Sequence, residues 1–137
     1  MSKVHYINAE ELKSLLLKKP ELTICDVRGS GEFNSGHIPN AINLPLGEFE
    51  RGRFAEIKNK DSIVFHCLSG TRTRMNESKL VTAPFKNIYI LKNGISEWKK
   101  SGGSMTGNGA VGGGILKNVF SFVIIAAAVW LTMHFLK

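Results

Sequence analysis

The stretch Ser62-Ile63-Val64-Phe65-His66-Cys67-Leu68-Ser69-Gly70-Thr71-Arg72-Thr73 decides how this chain reads. Its first half is a continuous apolar run of strand length, as expected for a strand buried on both faces. Gly70 breaks the run, and residues 71–81 have helical character. A cysteine therefore stands where a buried strand ends and a helix starts. In open α/β sheets, ligands bind outside that end of the strands. Cysteine is a nucleophile only as the thiolate. Gly70 lets the chain curl with positive φ, so that main-chain N–H groups of residues 68–72 turn toward the sulfur. Arg72 and Arg74 add positive charge, and Thr73 between them can cap the helix or donate to the loop. His66 precedes Cys67 on a strand, so its side chain is expected on the opposite face.

On either side, strands and helices alternate. Asn8-Ala9-Glu10-Glu11 has the form of a capping box, and Leu12, Leu15 and Leu16 follow at helical spacing until Pro20. Leu22-Thr23-Ile24-Cys25-Asp26-Val27 predicts a buried strand, with Cys25 in the core. Residues 29–36, rich in Gly and Ser, predict a loop with at most a short helix. A short strand is expected at Ala41-Ile42-Asn43-Leu44, a helix at 49–58, a strong strand at Asn87-Ile88-Tyr89-Ile90-Leu91, and a last helix at 95–100 carrying Trp98. Such alternation implies an α/β fold with a parallel sheet and helices on both faces.

Composition excludes several classes. The net charge is +7, yet Lys18, Lys19, Lys58, Lys60, Lys99 and Lys100 occur in small groups with Glu10, Glu11, Glu21, Glu56 and Glu97 among them. No basic stripe interleaved with aromatics appears, so no nucleic-acid partner is expected; an anionic small substrate or membrane surface suits the charge better. No secretory signal is visible after Met1-Ser2-Lys3. The two cysteines, Cys25 and Cys67, are therefore expected to be reduced, and without a His/Cys spacing they make no zinc site.

Residues 102–114 hold seven glycines and read as a flexible linker. Residues 119–136 carry no formal charge and would span about 27 Å as a helix. That nearly matches the hydrocarbon core of a bilayer, about 30 Å. Lys117 and Lys137 flank the segment, and Trp130 lies near its far end. The expected organisation is a domain over 1–101, a linker over 102–114 and a single transmembrane helix within 115–137. Excess Lys before the helix places the domain on the cytoplasmic side. Ser121, Ala128 and Thr132 share a helical face and offer a route to a homo-oligomer through the tail.

Cysteine loops that cradle anions serve two main chemistries. Phosphatases use Cys-x5-Arg, in which the arginine forks onto phosphate oxygens. Here Thr73 holds the sixth position and Arg72 comes one residue early. A shorter loop makes a tighter cradle, suited to one extra sulfur atom. Asp26-Val27-Arg28, the run from Glu32 to Pro45 with Gly36-His37-Ile38-Pro39 inside it, the Cys67 loop, and Leu91-Lys92-Asn93-Gly94-Ile95-Ser96-Glu97-Trp98 follow in order. With these pieces the chain resembles the single-domain rhodaneses over roughly residues 4–103, and its tail makes it similar to membrane-anchored bacterial rhodaneses.

The resemblance implies a rhodanese-like three-layer fold and a sulfurtransferase without cofactor or metal. Cys67 would take the outer sulfur of a small anionic donor such as thiosulfate and pass it to cyanide, a thiol or a protein acceptor. Leu68, Ser69, Gly70, Thr71, Arg72 and Thr73 would hold the persulfide and donor, with Arg72 on the donor's oxygens. Asp26 and Arg28 would tie strand ends together, His37 would be a hydrogen-bonded scaffold residue, and Arg74 would lend support. A resolving role for Cys25 is the redox alternative. Rival readings are a carrier of sulfur or nitric oxide, or a thiol redox sensor, that docks a membrane partner without turnover; a third is a phosphatase or arsenate reductase.

Overall fold

A computed structural model of the protein describes residues 3–108. Within them five strands form one fully parallel sheet: β1 (Lys3–Ile7), β2 (Thr23–Asp26), β3 (Ile42–Asn43), β4 (Ser62–His66) and β5 (Asn87–Leu91), in the order β1-β5-β4-β2-β3. β4, the apolar run that opens the reading above, lies at the centre. β1 is an additional strand that the apolar patterns do not pick out. It is a five-residue edge strand whose Val4, Tyr6 and His5, Ile7 alternate between faces.

The expected start of the first helix holds. In α1 (Ala9–Lys18) the Asn8 side chain accepts from the Glu11 N–H at 2.8 Å, and Glu11 accepts from the Asn8 N–H at 3.0 Å. α1 then buries Ala9 and Leu12. α2 (Ser30–Ser35) is the short helix in the Gly/Ser-rich segment. The helix expected at 49–58 is instead a pair of 3₁₀ turns, Leu46–Glu48 and Arg51–Phe54. Gly47 and Gly52 within those turns weaken helix propagation. The helix expected at 71–81 splits at Asn76 into α3 (Thr71–Met75) and α4 (Glu77–Leu80). α5 (Gly94–Lys100) closes the order.

The period of two along each strand divides the core into two layers. Cys25, Ile63, Phe65, Cys67, Ile88 and Ile90 face one side, under Phe54, Leu80 and Phe85. Ile24, Val64 and Leu91 face the other, under Leu12 of α1 and Ile95 and Trp98 of α5. Helical segments therefore cover both faces of a parallel sheet, as alternation predicts.

The chain just beyond 101 stays against the domain. The first residues of the expected linker are packed rather than free. Trp98 Nε1 donates to Ser104 O at 2.8 Å, and a Cβ on Gly103 would lie 2.2 Å from the Trp98 ring. His37 and Thr106 pair as an antiparallel bridge with N–H···O distances of 2.7 and 2.8 Å. Met105 packs on the second core layer. Glycine here permits close approach to Trp98, a use that composition alone does not separate from flexibility. The expected membrane span at 119–136 lies outside the described residues. Among those that are described, no helix is long and apolar enough to cross a membrane.

Candidate active site

Cys67 follows β4 directly, at the carboxyl end of the sheet. Its residue is only 1% exposed. Burial alone would keep such a thiol protonated. The loop after it reverses that outcome by pointing its carbonyls outward. Cys67 O accepts from the Ile95 N–H at 3.0 Å, and Leu68 O accepts from the Ser96 N–H at 3.0 Å, both at the start of α5. Gly70 O accepts from the Arg74 N–H at 3.1 Å and from the Thr73 hydroxyl at 3.1 Å. With the carbonyls tied away, the amides are left facing the sulfur, and Gly70 N–H donates to Cys67 Sγ at 3.1 Å.

Two glycines make this curl sterically attainable. Gly70 has φ +95°, and a Cβ there would lie 2.0 Å from Lys92 O. Gly94 has φ +65°, and a Cβ there would lie 2.4 Å from Leu68 O. The loop and the start of α5 thus meet backbone to backbone.

The electrostatic balance at Sγ follows. Burial is the largest influence and pushes the thiol pKa up. Hydrogen bonds from the Thr73, Gly70 and Arg72 amides and from the Thr73 hydroxyl outweigh it, and the net shift is downward. The Thr73 hydroxyl sits 3.7 Å from Sγ. It holds one proton between two acceptors, Gly70 O and the sulfur, and so can turn toward a thiolate when one forms.

Beneath the loop lies a buried polar layer. Arg28 binds Asp26 through Nε and Nη2, with the shortest contact 2.7 Å, and Nη2 also donates to Gly36 O at 2.7 Å. Asn43 Nδ2 donates to the carbonyls of Asp26 and Arg28 at 3.1 and 2.9 Å. These contacts join the ends of β2 and β3 to the segment after α2. The His37 Nδ1 donates to Phe33 O at 2.7 Å, and its ring stacks on Phe33 with centroids 3.7 Å apart. His66 points away from the Cys67 side of the sheet, yet its Nδ1 donates to Cys67 O at 3.1 Å. Burial holds the His66 pKa below the usual histidine value, so the ring is neutral. Its Nε2 faces Asp26 Oδ2 at 3.7 Å and makes no hydrogen bond among the described residues.

The other expected residues divide clearly. Leu68, Ser69 and Thr71 are exposed at the mouth, where Ser69 Oγ and Thr71 Oγ1 lie 3.4 Å apart. Arg74 is exposed on α3, and its charge is felt at Tyr6. The Arg72 guanidinium is forked onto Glu32, with Nη1–Oε1 and Nη2–Oε2 both 2.9 Å, so two of its five N–H donors and its charge meet a carboxylate. Glu32, Asn43 and the α5 amides of Ile95 and Ser96 are the contributors that the motif reading misses. Gly94 was the visible signal for the last pair, since a glycine opening a helix marks a tight approach. Among the described residues, no group of three or more His, Cys, Asp or Glu side chains could hold a metal ion.

This geometry favours the thiolate at Cys67 through main-chain donors. The rhodanese-like domain family matches residues 8–101. The chain belongs to that family. A putative sulfur carrier protein, YrkF of Bacillus subtilis, is 32% identical over 97 residues, covering 71% of this chain; the chain spans about half of that relative's length, 52%. A dual specificity phosphatase Cdc25 of Arabidopsis thaliana is 32% identical over 111 residues, covering 72% of this chain and 75% of its own. The solution structure of a rhodanese-like domain from an Anabaena protein superposes with a TM-score of 0.65 at 30% identity, covering 76% of this chain and 80% of that one. The rhodanese fold is therefore shared by relatives named for different chemistries, and the loop has to distinguish them.

Proposed function

We propose that this rhodanese moves sulfane sulfur through a persulfide on Cys67. The observation that carries this reading is the set of amides at Cys67, with the carbonyls of Cys67, Leu68 and Gly70 hydrogen-bonded elsewhere. In the loading step the Cys67 thiolate attacks the outer sulfur of thiosulfate. A new S–S bond forms, the outer sulfur separates from the sulfonate, and the bonding pair leaves as sulfite. An organic persulfide can load the same sulfur, its thiolate being the leaving group. In the second step cyanide or a thiol attacks the outer sulfur of the Cys67 persulfide, and the thiolate is regenerated. Amides that stabilise the thiolate stabilise the terminal persulfide anion by the same hydrogen bonds. Leu68, Ser69, Gly70, Thr71, Arg72 and Thr73 form the cradle; Asp26, Arg28 and His37 position it from below. A phosphoryl-transfer reading fits less well, because the guanidinium that would fork onto phosphate is held by Glu32.

The apolar segment 119–136 supports a single-pass anchor that would hold the domain at the cytoplasmic face of a bilayer. A second reading, loading without turnover, is favoured by one observation, the likeness to a protein named as a sulfur carrier. Intact mass of the full chain before and after thiosulfate, with thiocyanate release on adding cyanide, separates the two. Turnover requires the gain of one sulfur atom and catalytic thiocyanate, both absent in Cys67→Ser. A stable sulfur adduct without thiocyanate turnover would select the carrier. An unmodified wild-type protein would remove both.

A further inference from the structure

We propose that Glu32 is a specificity residue: by pairing with Arg72 it turns the Cys67 site away from dianionic donors and toward persulfides, which carry at most one negative charge. The inference rests on the sulfur-transfer reading. Its observation is the bidentate fork between Arg72 and Glu32, 2.9 Å on both arms, across 40 residues of sequence. Arg72 is the charged member of a loop whose other side chains, Leu68, Ser69, Thr71 and Thr73, are neutral. Beneath it, Arg28 is committed to Asp26 and Gly36 O. Arg74 is exposed on α3.

A dianion approaching a thiolate needs a cation to offset the repulsion between like charges, which grows as water is excluded. The guanidinium in place to do so already carries a carboxylate. An organic persulfide brings at most one negative charge and depends less on that offset. Leu68, a large apolar side chain 43% exposed beside Cys67, gives the mouth an apolar rim rather than a second cation.

Glu32 is also held where it can do this. It lies on α2, whose Phe33 stacks on His37. His37 is in turn bridged to Thr106, and a Cβ on Gly107 would come within 2.9 Å of Asn34 O. The packed segment after residue 101 thus braces the helix that carries the carboxylate. Charge pairing of exposed groups adds little to stability. Here its effect is on the site's charge: Glu32 offsets the positive charge that Arg72 would otherwise lend to a dianion.

The experiment measures kcat/KM of the full chain for thiosulfate and for hydroxyethyl persulfide, with one thiol acceptor held constant, in wild type, Glu32→Gln and Glu32→Asp. Glu32→Gln is expected to raise thiosulfate kcat/KM about tenfold, the scale of one charge-assisted hydrogen bond, chiefly through KM. The persulfide value stays within about twofold. Glu32→Asp, which keeps the charge but shortens the reach, gives an intermediate gain and carries the test if Glu32→Gln does not fold. An unchanged ratio between the donors, or an equal change for both, overturns the role of Glu32 while leaving sulfur transfer intact. Failure of both donors to load wild-type Cys67 overturns sulfur transfer and this inference together.

Discussion

Cys25 and Cys67 lie on neighbouring strands, face the same side of the sheet, and are buried to 0% and 1% exposure. Their thiols are driven in opposite directions. At Cys25, burial first and the nearby Asp26 second push the pKa up, and a single main-chain hydrogen bond from Leu44 cannot offset them. At Cys67, burial also pushes up, but several donors converge and the net shift is down. Depth therefore does not decide whether a thiol is reactive in this protein. The difference is that β2 spends its amides on ladder hydrogen bonds at Cys25, whereas the chain beyond β4 has left the ladder and its amides are free to turn inward.

The strongest way to break this contrast is to undo the turn. Gly70→Ala places a Cβ 2.0 Å from Lys92 O at a backbone φ of +95°. The loop must then move away from α5, releasing its carbonyls and dispersing the amides. Alkylation of Cys67 by iodoacetamide at neutral pH is expected to slow by about a hundredfold or more, with stability lowered by more than about 2 kcal/mol. A Gly70→Ala protein alkylated at the wild-type rate would show that loop geometry is not what ionises Cys67.

Thr73→Val sharpens the contrast with a smaller effect. It removes the hydroxyl 3.7 Å from Sγ while leaving the Thr73 amide in place. The inflexion of the alkylation rate against pH is expected to rise toward the ordinary thiol value. An unmoved inflexion would assign the whole shift to the amides.

Smaller again is the contribution of the ring beneath. His66 is fully buried and neutral, with its pKa below the ordinary histidine value through burial. The unfolded chain takes up a proton on this residue near its ordinary pKa of about 6.5, while the folded chain does so only at lower pH. The unfolded state then binds more protons, so stability is fully present above about pH 6.5 and falls as pH drops toward the depressed value, by at most roughly 1 kcal/mol per pH unit. Urea unfolding at pH 7 and pH 5 reads the slope, which flattens in His66→Gln. A slope identical in that variant would place the proton elsewhere.

Much of this was legible in the sequence, for reasons that differ by residue. Apolar runs at 62–67 and 87–91 announce central strands because burial on both faces leaves no polar position. The Asn8-Glu11 pair announces α1 because both halves of its cap are side chains. β1 escapes such a reading, since an edge strand needs only half its residues apolar. The 3₁₀ turns at 46–54 escape it because Phe49 and Phe54 are placed by ring packing, Phe54 meeting Phe85 edge-on at 5.5 Å, not by helical period. At the site, the position of Cys67 and the need for Gly70 follow from one local stretch. The Glu32–Arg72 fork does not, because it joins residues 40 apart through the packing of α2. Glycine content at 102–107 misled for the same reason: whether a glycine loosens a chain or lets it lie against an indole depends on Trp98, which is elsewhere in the alphabet of the pattern.

The smallest expected effect concerns Cys25 itself. If the two thiols differ only in their own surroundings, then changing one leaves the other alone. The register pairs Cys25 with Phe65, and Cys67 lies two residues further along the neighbouring strand. Strands about 4.8 Å apart and a rise of about 3.3 Å per residue put the two Cα atoms near 8 Å. A disulfide tolerates a separation of up to about 7 Å, so pairing Cys25 with an oxidised Cys67 would need the backbone to move. Cys25 is thereby removed from the redox role, and its thiol acts as a small core side chain. Cys25→Ala should lower stability by about 1 kcal/mol through the space it leaves, with the Cys67 alkylation inflexion unchanged. The native wild-type protein should accept one alkyl group and a second only on unfolding. Hydrogen peroxide treatment followed by non-reducing mass analysis should yield no internal disulfide. A bridge between Cys25 and Cys67 in that experiment would mean that β2 and β4 slide past one another in the native protein, and the contrast between a sealed thiol and a presented one would become a difference of timescale.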